Sequence, residues 1–268
     1  RKNQPNVPWF GYIDLETGEW GESERQFPAY LKPPFLTMTL LQYRVDNLEE
    51  YEEAMEVVHR ELPKYTKPFK DFFEAYVDTE KYPLAAKDTM LVEEPLEDWK
   101  QHCVEGWVDP DGDIHIWAIS DHNYYEGSEL AIDNYSTPST LPSEEQETLI
   151  DIATEAIVQH GFEQSFWNVE IFNLPDRHVI TEVNGRTASV WEPLYNGAFD
   201  TSVYEGIIHL AADNPEETAA VAPDWRPDPS YDTMGTQFHV VTFGEGPAGE
   251  YVDFDYVETV EDTDIEMF

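Results

Sequence analysis

Two glutamates, an asparagine and an arginine fall within one short stretch, Trp167 to Arg186, at spacings that can hold a divalent cation. Read as a strand, Asn168, Glu170 and Phe172 share one face, because side chains alternate. The next segment, read the same way, aligns Ile180, Glu182 and Asn184. Leu174, Pro175, Asp176 and Arg177 between them have turn chemistry. A loop of three or five residues sets Glu170 directly opposite Glu182. Like charges so placed repel, which makes sense if a cation lies between them. Two carboxylates and an amide oxygen are hard ligands that suit Mg²⁺, with water and substrate phosphates filling the rest of its shell. Arg186 follows at the strand end, placed to hold an anion. The chain carries 56 Asp and Glu, so spacing alone leaves a solvated acidic face as an equal alternative.

The elements that must position these residues read as follows. Phe27–Lys32 is a strand ending in a lysine and stopped by Pro33 and Pro34. A helix follows Val45, with Leu48, Tyr51, Met55, Val58 and Leu62 near helical spacing. Asp46 or Asn47 caps it, and acids crowd its positive end. The stretch from Lys64 to Tyr82 has no clear assignment. Thr89–Glu94 is a short apolar strand. Segments 102–108 and 114–120 are strands joined by a turn at 109–113. Residues 121–142 read as a long loop, and Ser143 to Gln146 as a capping box opening a helix that Gly161 closes. After the acidic hairpin, 201–212 is a further helix, and 237–243 and 250–260 are strands of a small terminal sheet. Residues 1–27 read as loop with one short extended piece. The order implies an α+β plan of two lobes with mostly antiparallel sheets, rather than a doubly wound fold. The expected division is a small lobe over 1–92, a large lobe over 93–215 and a C-terminal β segment over 216–268.

Composition bounds the rest. With 268 residues, 41% hydrophobic and 14% aromatic, the chain can bury a real core. Its net charge of −41 against 15 Lys and Arg exceeds what solubility needs. Salt above about 1 M shortens the screening length to roughly 3 Å and removes most of the self-repulsion. The acids are spread along the whole chain. They are therefore read as adaptation to a salt-loaded cytoplasm, in preference to a patch for a cationic partner. Nucleic acid is not an expected partner, since phosphate recognition needs clustered Lys and Arg. No stretch approaches a membrane span, and an oligomer is left open. The single cysteine, Cys103, excludes an internal disulfide and reads as a buried thiol. The histidines are scattered with no pair at ligand spacing, so zinc is not expected. No Ser-His-Asp arrangement suggests a protein nucleophile. Lys32 can supply a point charge to phosphates or be an ordinary surface lysine. Glu93 and Glu94 can flank a bound base or simply be exposed acids.

Taken in order, Phe27–Pro33, Val45–Glu50, Met90–Leu96, Asn168–Glu170 and Thr181–Arg186 resemble the ATP-grasp superfamily, specifically its carboxylate–amine or carboxylate–thiol ligases and biotin-carboxylase-like relatives. The likeness spans roughly residues 27–212, and Glu170 followed by Glu182-Val-Asn184-Gly-Arg186 is its specific part. The resemblance implies ATP and Mg²⁺ as cofactors, with Mn²⁺ as the alternative metal. It implies that Lys32 contacts ATP phosphates, and that Glu93 and the backbone of Glu94 to Leu96 hold adenine. Glu170, Glu182 and Asn184 would bind the metal, and Arg186 would stabilise the transferring phosphoryl group. The implied substrates are a small carboxylate, activated as an acyl phosphate, and an amine or similar nucleophile.

The sequence departs from the family in three places. Lys2 lies too near the start to be read as the usual upstream phosphate lysine, a glycine-free loop at 33–40 stands where the family has a Gly-rich one, and no preceding α/β domain is read within the given residues. A nucleotide-binding module without turnover, or a fragment of a larger ATP-grasp protein, is therefore the alternative. An interaction protein whose acids meet only salt is a third reading.

Overall fold

The computed structural model describes residues 6–22, 24–36, 40–128, 131–188, 190–239, 246–251 and 253. Thr37 and Thr39 of the glycine-free loop, and nearly all of the strand read at 250–260, lie outside them. Two antiparallel sheets organise the chain. The smaller has five strands in the order β2-β1-β5-β3-β4, and the larger six in the order β10-β9-β6-β7-β8-β11.

In the small lobe, β1 (Phe10–Asp14), β2 (Trp20–Gly21), β3 (Ala29–Lys32), β4 (Tyr43–Val45) and β5 (Thr89–Glu93) form the sheet. Its inward alternation of Ile13, Ala29, Leu31, Val45, Met90 and Val92 meets Tyr51, Ala54, Met55 and Val58 of helix α1 (Leu48–Glu61). Asn47 caps α1 by accepting the Glu50 amide at 3.1 Å. The Glu50 carboxylate reaches back to the Asp46 amide at 2.8 Å, so two otherwise orphaned donors are satisfied. Helix α2 (Pro63–Tyr76) fills the stretch left unassigned from sequence. Pro63 starts it, where a missing N–H costs nothing, and Pro68 lies inside it.

In the large lobe, β6 (Lys100–Val108), β7 (Ile114–Tyr124), β9 (Ser165–Asn173) and β10 (His178–Asn184) carry the site. Both faces of this sheet are covered. One packs Val104, Ile119, Val169 and Ile171 against Leu149, Ile152, Ala153, Ala156 and Ile157 of α3 (Ser143–His160). The other packs Trp107, Trp117 and Phe166 against Trp191 and Tyr195 of α4 (Trp191–Phe199) and Val203 and Leu210 of α5 (Val203–Ala211). Gly161 ends α3 with φ of 66°, a left-handed turn that glycine adopts without strain.

Several expectations are corrected. Residues 121–142 are not one loop: β7 runs to Tyr124 and β8 (Ile132–Thr137) pairs with it. Their polar composition misled because the strands' polar residues bond to each other, as in the pair from Asn123 Nδ2 to Asn134 Oδ1 at 2.8 Å. The capping box is not formed. Pro142 occupies the cap position of α3, and Gln146 is buried with its amide donating to Leu141 O at 2.7 Å. The segment expected as a separate terminal sheet instead supplies β11 (Gly235–Phe238), which extends the large sheet beside β8. Helix α6 (Pro215–Val221) precedes it. Residues 1–27 contribute two strands of the small sheet rather than one extended piece. β5 ends at Glu93, and the chain passes between the sheets over residues 94–99.

Candidate active site

The turn between β9 and β10 is Leu174–Arg177, four residues long, closed by His178 opposite Asn173. That length sets Ile180 opposite Ile171, and regular pairing would bring Thr181 opposite Glu170. A β-bulge between Ile180 and Glu182 shifts the register by one residue, so Glu182 faces Glu170 and Asn184 faces Asn168. The Thr181 hydroxyl donates to the Glu170 carbonyl at 3.3 Å. The expected opposition of the two glutamates is thus present by a route the turn length alone does not give.

Glu170 is half-buried and Glu182 exposed. Burial, then the charge of Glu182, pushes the Glu170 carboxyl up to about 7, while Lys32, Arg186 and a hydrogen bond from Gln101 pull it back. Gln101 Nε2 donates to Glu170 Oε2 at 2.7 Å, and the Tyr124 phenol donates to Gln101 Oε1. A cation between the two carboxylates relieves both desolvation and repulsion. Among the described residues no three His, Cys, Asp or Glu side chains converge as a metal-holding group. Two carboxylates with one amide oxygen fit Mg²⁺, which keeps water and phosphate ligands instead of demanding an all-protein cage.

Lys32, at the end of β3, bonds Glu93 of β5 at 2.7 Å. The Glu93 side chain, expected at adenine, is thus directed to the lysine expected at phosphate. Glu94 bonds Arg177 of the β9–β10 turn at 2.6 Å, which ties the segment between the sheets to that hairpin. Leu96 is half-buried in that segment. Arg186 is exposed beyond β10, with Nη1 donating to Thr187 O at 3.1 Å. Trp99 stacks on Phe172 with centroids 4.1 Å apart and meets Tyr124 edge-on at 4.9 Å. Lys32 and Arg186 both favour the ionised Glu170 carboxylate, so charges from β3 and from beyond β10 act on one glutamate.

Sequence reasoning missed Gln101 and a buried group behind the site. Glu105, on the same sheet face, accepts from Ser120 Oγ at 2.8 Å and from the Tyr195 phenol. Burial pushes its carboxyl up to about 8 against those hydrogen bonds. The available signal was Gln101, Cys103 and Glu105 at every second position of a strand that is otherwise largely apolar from Val104 onward. Asp121 and His102, a buried pair at 2.9 Å, lie on the opposite face. Burial works against the Asp121 charge, but His102, Ser139 and Thr140 outweigh it and hold the carboxyl below its ordinary range. That cluster anchors the chain entering α3.

No curated protein matches the sequence. Among solved structures, the fold is similar to L-amino acid ligase from Bacillus licheniformis, with 17% identity and a TM-score of 0.57 over 81% of this chain and 47% of that one. It is similar to an N5-carboxyaminoimidazole ribonucleotide synthetase in an ADP complex, with 14% identity and a TM-score of 0.53 over 76% and 47%. It is also similar to biotin carboxylase from Campylobacter jejuni in a β,γ-ATP complex, with 16% identity and a TM-score of 0.52 over 86% and 45%. At these identities the likeness is one of fold, and the chain spans about half the length of these relatives. No helix among the described residues is long and apolar enough to cross a membrane. The sequence itself matches the ATP-grasp domain over residues 25–192, more than half of its length, and the chain belongs to the ATP-grasp family.

Proposed function

We propose that this chain is the nucleotide-binding part of an ATP- and Mg²⁺-dependent ligase that activates a small carboxylate for attack by an amine or similar nucleophile. The observation that supports it most is the opposition of Glu170 and Glu182, with Lys32 and Arg186 both acting on the charge of Glu170. Glu170, Glu182 and Asn184 would hold Mg²⁺, which supplies charge neutralisation to the phosphates when bound. Lys32 supplies a positive charge from the small lobe, and Arg186 one from beyond β10. Gln101 orients the Glu170 carboxylate, and Tyr124 orients Gln101. Glu94 to Leu96 border the place proposed for adenine. These side chains position and compensate charge, and no protein nucleophile is needed. The acid excess is read as adaptation to high salt.

The test is ADP with Mg²⁺ in molar salt. Mass action predicts a raised melting temperature, and added carboxylates should trigger ADP release from ATP. Stabilisation by nucleotide without acid-dependent ADP release would favour the binding module without turnover. No stabilisation at all would refute the nucleotide reading.

A further inference from the structure

A chain of hydrogen bonds behind the glutamate pair ends at a backbone carbonyl, which fixes every amide along it. Asn168, 2% exposed on β9, donates from Nδ2 to Arg186 O at 2.9 Å. A backbone carbonyl only accepts, so the Asn168 amide has one orientation, with Oδ1 on the far side. Asn168 Oδ1 then receives Asn184 Nδ2 at 3.1 Å and the Cys103 thiol at 3.7 Å. Burial raises Cys103 well above its ordinary value, so the thiol keeps its proton and remains a donor. With Nδ2 of Asn184 committed to Asn168, its Oδ1 is turned away from Asn168. Glu182 lies two residues back on the same face, opposite Glu170.

We infer that Asn168 is a positioning residue, set by the Arg186 carbonyl, that holds the Asn184 amide with its oxygen presented to a cation at the Glu170–Glu182 pair. The inference deepens the metal reading proposed above and rests on it. Without Asn168, Asn184 is free to flip, and an amide nitrogen in that place repels a cation.

The experiment titrates Mg²⁺ into ADP-saturated protein in molar KCl, followed by calorimetry and melting temperature, for wild type, Asn168→Leu, Asn168→Ser and Asn168→Asp. Leucine cannot hydrogen-bond and serine is too short to reach Asn184. Both should raise the half-saturating Mg²⁺ concentration about tenfold, the low end for removing an outer-shell partner. ADP affinity measured without Mg²⁺ should stay unchanged. The carboxylate introduced by Asn168→Asp still accepts from Asn184 but cannot donate to the Arg186 carbonyl, so that variant should bind Mg²⁺ better than leucine without needing to match wild type. Serine covers the case in which the leucine variant fails to fold. Wild-type Mg²⁺ binding in both the leucine and serine variants overturns the inference. So does an equal loss of Mg²⁺-free ADP binding, or an aspartate variant as weak as leucine. A wild type whose ADP binding ignores Mg²⁺ refutes the metal reading itself, and the inference falls with it.

Discussion

Glu170 and Glu182 stand directly opposite each other on β9 and β10 although the four-residue turn between them sets a register that opposes Glu170 to Thr181. The bulge at Thr181 moves every later residue of β10 by one place, and therefore to the other face. Neutralising one member should relieve the repulsion and remove the cation site together. Glu182→Gln is expected to stabilise the Mg²⁺-free protein by up to about 1 kcal/mol, the scale of cross-strand pair terms. Its fold should remain intact, and its ADP release should be abolished. Urea unfolding with and without Mg²⁺, beside a coupled ADP assay, checks both; unchanged turnover sinks the metal assignment.

The pH dependence follows from the raised Glu170 carboxyl. Its folded value, about 7, lies above the ordinary 4.5. Between those values the folded state binds more protons than the unfolded chain, so stability falls as pH rises. The contribution from Glu170 in metal-free protein is therefore complete below about 4.5 and lost as pH climbs through about 7. Wild type should therefore lose stability relative to Glu170→Gln, which does not titrate, as pH rises across that window. Saturating Mg²⁺ should reverse the trend, because a cation favours the ionised carboxylate. Urea midpoints across the window decide it, and a flat difference would contradict the site's electrostatics.

Lys32 has two roles that mutation can separate. Lys32→Met leaves the carboxylate of Glu93, 9% exposed, without its cation. The expected loss is about 2 kcal/mol, within the range for a hydrogen bond to a charged group. Adding Glu93→Gln should recover most of that stability. Weakened ADP binding should persist in the double variant if the lysine also serves phosphate. Recovery of both properties would leave Lys32 with a structural role alone.

A net charge of −41 predicts strong dependence on salt. Dialysis from molar KCl into dilute buffer should unfold or aggregate the protein as the screening length grows from roughly 3 Å to about 30 Å. Circular dichroism follows the change. Full retention of structure in dilute buffer would argue against salt adaptation.

The sequence by itself determined the local elements whose cause is local. Asn47 before an apolar stripe specified α1, Gly161 specified the end of α3, and Lys32 before two prolines specified the end of β3. The two-lobe antiparallel plan and the presence of two glutamates on neighbouring strands were legible too, but alternation with the four-residue turn would have set Thr181, not Glu182, opposite Glu170. Helix α2 was obscured by Pro68 inside it, and β8 by side chains whose polarity is satisfied across the sheet. Only the tertiary structure decided which residues meet. The bulge at Thr181, the partnership of Lys32 with Glu93, the hold of Gln101 on Glu170 and the Asn168 relay to Arg186 all join residues from different strands or turns. Their energies arise from burial and register, which exist only once the sheets have formed.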